Sequence, residues 1–321
     1  MSLSFRPCPP CRFFPPFRPC RPDVVVVLAL LGSLYPGSTS HGDGVGIVVI
    51  TEIMYHPRGG GQDREYVELY NATPAPIDLS GWFFSRGISF TFPAGTWLDG
   101  NTYLLVAADA ERIREAYGIE NVVGDWASCD AGGRGSGCAL DNGGETLELA
   151  EHNGVVHARV RYNDRGRWPA GADGTGHSLE MVSPYREQDD PGSWLISGDR
   201  GGSPGGPNNA ADRAAKRPPV RINEALLLTN GERWLELFNL SETVELDVSG
   251  LFLTDERQNL AKSRIPDGTT IAPGGWLTFT ESQLGLDFTP VAEDAASPPR
   301  LFLALATADA TQVIDAYSFR P

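Results

Sequence analysis

The sequence predicts an all-β protein built from two tandem modules, and three observations carry that prediction. Gly 37 and Pro 25 make up about one residue in five of the 321, a composition that interrupts long helices and supplies turns between short strands. Apolar side chains alternate with polar or aromatic ones in short runs, the period of a strand with one face in a core. The strand "EYVELYN", residues 65–71, returns as "RWLELFN", residues 233–239.

The chain opens on a segment of different composition. Arg6, Arg12, Arg18 and Arg21 precede the apolar run "VVVVLALLGSLY", which gives way to the small residues of "PGSTSHG". This order resembles a secretory signal over residues 1–40, with cleavage near Ser40. A mis-assigned start codon upstream of a genuine signal would leave the same expectation of export. The run is shorter than the ~20 residues of an ordinary membrane span, so no transmembrane span is expected in the mature chain. Removing the leader removes Cys8, Cys11 and Cys20 and leaves Cys129 and Cys138. They end the Gly-rich stretch "CDAGGRGSGC", and two lone thiols so placed form a disulfide in an oxidising compartment, the alternative being free thiols. Two ligands alone make a poor zinc site.

The repeat is collinear over four blocks. "ITEIM" is answered by "INEAL", "YVELYN" by "WLELFN", "IDLSGWFFS" by "LDVSGLFLT" and "FPAGTWLDGNTYLLV" by "IPDGTTIAPGGWLTF", with offsets between 168 and 173 residues. Duplication of a module explains this. In each copy the aliphatic pair, Val67 and Leu69 or Leu235 and Leu237, faces the core, while Tyr66, Glu68 and Tyr70, or Trp234, Glu236 and Phe238, face the other way. Further strands are expected over 146–149 and 155–162, reached through "DNGG" and "HNG", and a short helix over 110–117. "SPGGPNNAADRAAKRPP", residues 203–219, has linker composition. The first module is therefore expected over 41–209, a linker over 210–219 and the second module over 220–321.

These residues carry a family resemblance. "ITEIMYHP", "EYVELYN", "IDLSGWFF", "FTFPAGT" and "GCALDNGGETLEL", then "ADGTGHSLEMVSP", Trp194 and "GGSPGGPN", resemble in order the lamin tail domain of exported bacterial proteins. The resemblance implies an immunoglobulin-like β-sandwich for each copy. The second copy has nothing corresponding to "ADGTGHSLE…W…GGSPG", which implies a sandwich without its closing segment and an exposed sheet edge, or a truncated sequence. The heptad rod that lamins use to assemble is absent, so nuclear lamina function is not carried over.

Candidate binding residues are those that recur: Glu52 and Glu68 with Tyr66 and Tyr70, and Glu224 and Glu236 with Trp234 and Phe238. Paired carboxylates can take a hard cation, do acid–base work, or satisfy backbone amides and fix register. The aromatics can present a flat surface to a sugar or an apolar patch, or lie under a neighbouring segment. Asp189 and Asp190, near Asp173, lack EF-hand spacing. His-Glu-x-x-His, a nucleophile elbow, a phosphate loop and a dinucleotide fingerprint are missing, so no catalytic residues and no required cofactor are expected, with calcium the cation that the paired carboxylates could take. Asn71 and Asn239 fit the glycosylation pattern but also close a strand before a turn. A net charge of −15 opposes nucleic acid as a partner. The expected function is an exported, non-catalytic binding or scaffold protein whose partner is a protein or surface glycan. Its rivals are the targeting part of a larger exported enzyme, nuclease or spore-coat-kinase-like, with its catalytic domain past residue 321, and a calcium- or carbohydrate-binding module.

Overall fold

The computed structural model describes residues 47–126, 137–227, 231–290 and 299–319; the expected leader and Cys129 lie outside them. In the first half, Val48–Met54, Tyr66–Asn71 and Tyr103–Ala107 pair antiparallel in the middle of a six-stranded sheet. Leu179–Met181 and Trp194–Ile196 extend it on one side, and Val122–Gly124 adds a parallel strand on the other. Phe83–Arg86, Thr146–Ala150 and Val156–Arg161 form the facing sheet. The alternation predicted from sequence sends Val67, Leu69, Leu104 and Val106 from one sheet and Phe84, Leu147, Leu149 and Val160 from the other into a shared core. Each such side chain contributes about 1.5–3 kcal/mol by leaving water.

The second half repeats this plan with fewer strands. Val220–Leu226, Trp234–Asn239 and Trp276–Thr280 form one sheet; Ser263–Arg264, Phe252–Thr254, Leu301–Ala306 and Val313–Phe319 form the other. Leu235 and Leu237 meet Leu253, Leu303 and Leu305 between them. Registers coincide to the residue: Glu52 pairs with Glu68 and Glu224 with Glu236, each just after a bulge, at Thr51 and at Asn223. Asn71 and Asn239 are both fully buried. Asn71 Nδ2 donates to the carbonyls of Ala75 (2.7 Å) and Leu98 (3.0 Å), and Asn239 Nδ2 to those of Val244 (2.8 Å) and Ile271 (3.0 Å). The recurring Asn is thus a pin between the strand end and the next turn, and its amide is out of reach of a sugar.

Helix Ala110–Tyr117 forms where the periodicity places it, capped by Asp109, which accepts from the Arg112 N–H, and ended by Gly118 at φ 67. Ile113 packs on Met54, Tyr66, Leu105 and Ala107, so the central strand Tyr66–Asn71 is covered on both faces. The stretch read as a linker holds the short helix Ala210–Ala214, whose first residue is buried.

The two halves touch. Ala170 and Ile196 pack against Leu260, Phe302, Ala304 and Val313. One set of polar contacts falls where the repeat changes its spacing: the offset drops from 172 to 168 across the loop before Tyr66 and rises from 169 to 173 across the loop after Thr254. These two loops meet, with Arg58 Nη2 donating to the Gln258 carbonyl (3.2 Å) and the Gly59 N–H to Gln258 Oε1 (3.1 Å).

Candidate functional site

Cross-strand register places Glu180, Glu52 and Glu68 in one row over three neighbouring strands, and all three side chains are fully buried. Burial disfavours their charged forms, and like charge along the row adds to the effect on Glu52 and Glu68. Burial first, then the Glu180 charge, pushes Glu52 up to about 8. Glu68 is raised by burial and then by Glu52, and burial likewise raises Glu180.

The row is closed by the chain's own Gly-rich segment. Glu52 accepts from the Ser203 N–H (3.1 Å) and the Ser178 hydroxyl, and Glu68 from the Gly205 N–H (2.7 Å) and the Thr51 hydroxyl (2.7 Å). Glu180 accepts from the N–H groups of Asn209 (2.8 Å) and Ala210 (2.7 Å). The Tyr66 hydroxyl lies 2.7 Å from Glu52 Oε1 and 2.9 Å from the Gly201 carbonyl. One phenolic proton cannot serve both acceptors, whereas a proton on Glu52 completes the chain Glu52 to Tyr66 to Gly201. Gly202, at φ +82, crosses directly above: a Cβ there would lie 1.8 Å from Glu52 Oε1.

Glu52, Glu68 and Tyr66 therefore form no surface for a cation, sugar or partner: backbone amides occupy the space between the carboxylates, and Tyr66 is buried. Tyr70 is also buried and packs on Tyr103 at 4.8 Å. Among the described residues, no group of three or more His, Cys, Asp or Glu is arranged to hold a metal. Asp189 and Asp190 accept from the N–H groups of Arg161 and Gly192 instead of gathering with Asp173.

The equivalent face of the second half is open. The bulge residue Asn223 donates to Glu236 Oε1 at 2.9 Å, as Thr51 does to Glu68, but Glu224, Glu236, Trp234 and Phe238 are only half-buried. Trp276 sits 5.6 Å from Phe238 and is 62% exposed. The Arg221 guanidinium lies 5.4 Å over the Phe238 ring. Among the described residues no strand pairs with the outer edge of Val220–Leu226.

A second constellation lies at the junction of the halves, and sequence reasoning missed it. His56 Nδ1 is 2.6 Å from Asp173 Oδ1, and Arg257 Nε donates to Asp173 Oδ2 at 2.8 Å. Burial alone would raise Asp173, but the His56 hydrogen bond and the Arg257 charge outweigh it and hold the carboxylate below its usual range. Beside it, a polar cleft of about 260 Å³ is bordered by His56, Glu65, Asp141 and Arg300. Burial pushes Glu65 up to about 8 against the Leu140 N–H donated to it at 2.7 Å. The lining holds an acid and an imidazole but no Ser, Thr or Cys nucleophile. Asp173 lies 117 positions from His56 and 84 from Arg257, so no local motif announces them.

A comparison with curated proteins gives no match. Residues 43–164 match the Lamin Tail Domain family, the span that holds the central paired strands, the facing sheet and two of the three members of the buried carboxylate row, Glu52 and Glu68. By fold, by register and by this match, residues 43–164 are similar to a lamin tail domain.

Proposed function

We propose that this chain is an exported, non-catalytic binding and scaffold protein whose two lamin-tail-like modules divide the work, the first as a closed frame and the second as the contact module. The observation that supports the reading is the contrast between one carboxylate–aromatic face sealed by its own chain and the equivalent face left open around Trp276, Glu236 and Phe238. The lamin tail domain is an immunoglobulin-like, non-catalytic module, and such a module acts through surfaces. The basic-then-apolar leader sends the chain across a membrane, and Cys129 pairs with Cys138 there. Cell-surface or envelope proteins are the partners.

The test expresses the full chain in a bacterial host and measures where it goes and what it retains. The chain should leave the cytosol with a mass fitting loss of residues 1–40 and of two hydrogens, and should bind envelope preparations in a manner weakened by Trp276→Ala. Retention in the cytosol, or binding indifferent to Trp276, would reject the reading.

A further inference from the structure

The first half shows what covers a face of this kind, and the second half keeps the receiving groups. In the first half, the outer edge of Val48–Met54 receives strand Leu179–Met181 at Glu52 and Ile53. The Gly-rich stretch that follows then presents the Ser203 and Gly205 N–H groups to Glu52 and Glu68. One edge amide is met separately: Gln188 Oε1 accepts the Ile50 N–H at 2.8 Å.

The second half reproduces this receiving geometry. Asp315 Oδ2 accepts the Ile222 N–H at 2.8 Å, as Gln188 does for Ile50. The next edge residues, Glu224 and Ala225, correspond to Glu52 and Ile53 and face no strand among the described residues. Glu236 uses Oε1 for Asn223, as Glu68 uses Oε1 for Thr51, and Glu68's second oxygen is the one that takes the Gly205 amide. Both faces thus have a bulge donor, a cross-strand carboxylate pair and an adjoining aromatic pair, Tyr70 with Tyr103 or Phe238 with Trp276.

We infer that the edge at Glu224 and Ala225, with the face of Glu236, Phe238 and Trp276, binds an extended peptide segment of another protein by strand addition. That segment carries a strand of alternating apolar residues followed by a Gly- and Ser-rich stretch with free backbone N–H groups and no carboxylate at the Glu236 position. Its backbone amides donate to Glu224 and Glu236, and its apolar side chains cover Trp276. Residues 178–210, the described segment of that chemistry in this chain, are already engaged by the first half. The inference rests on the second half being the contact module.

The probe is a synthetic peptide of residues 176–210, titrated into the full secreted chain by calorimetry and by tryptophan fluorescence. The expected result is saturable binding that weakens at least tenfold with Glu236→Ala and with Trp276→Ala. These two side chains are half-buried and exposed, so unchanged circular dichroism and melting serve as the folding control. The same peptide with Gly205→Pro, which has no N–H to donate, should also bind about tenfold more weakly. No binding, or binding equal in all variants, would overturn the inference. So would a concentration-dependent dimer lost with Glu236→Ala, which would make the occupant a second copy. If the peptide fails while envelope binding still depends on Trp276, the inference alone falls; if both fail, the contact-module reading falls with it.

Discussion

Glu65 shows how one residue makes stability depend on pH. Its folded value is pushed up to about 8 by burial from an ordinary 4.5, so between those values the folded state holds a proton that the unfolded state has released. Its stabilising contribution is whole below about 4.5 and is lost as pH rises through about 8. Glu65→Gln keeps an oxygen for the Leu140 N–H and removes the titration. The variant should melt with a smaller loss between pH 5 and 8 than the parent, a difference of about 1–3 kcal/mol, read by calorimetry across that range. Gly202 is a second residue-scale test. Its positive φ and the carboxylate immediately beneath it predict that Gly202→Ala destabilises by about 2–4 kcal/mol, overpacking and left-handed backbone together. Denaturant melting checks it, and a neutral outcome would mean that the Gly-rich segment does not sit on the row.

Loops, which are elements too, carry the junction. Arg257 and Gln258 belong to the loop that the second copy lengthened, and Arg58 and Gly59 to the loop that the first copy lengthened. Arg257→Ala removes one of the two ion-pair partners of buried Asp173 and leaves His56, a loss of about 3–5 kcal/mol when one partner of a buried pair is removed. The cost should appear as a lower melting temperature of the intact chain. The recurring strand end gives another test at this scale. When the chain is secreted from a glycosylating host, Asn71 and Asn239 should carry no glycan by mass spectrometry, because both are fully buried and hydrogen-bonded.

Across the whole molecule, the apolar contact of Ala170 and Ile196 with Phe302 and Val313, together with the Asp173–Arg257 and Arg300–Asp164 pairs, couples the halves. They should unfold in one calorimetric transition, and Arg257→Ala combined with Phe302→Ala should split it into two. That coupling fixes the open face of the second half relative to the first, which suits a scaffold that presents one surface. The described residues include no helix long and apolar enough to cross a membrane.

Much of this was determined by the sequence itself. Strand alternation, the paired turns, helix Ala110–Tyr117 and the collinear repeat are local or periodic signals, and they specify two β modules and the recurrence of Glu52 and Glu68 as Glu224 and Glu236, whose cross-strand register the structure then supplies. Which of those recurring residues are accessible was decided by the tertiary structure alone. Tyr66 and Trp234 share a register and a pattern, yet one is buried and the other is not, because covering a face depends on segments more than a hundred positions away. Glu180 joins the carboxylate row, and His56 meets Asp173 and Arg257, for the same reason: register and docking bring together side chains that no spacing rule connects.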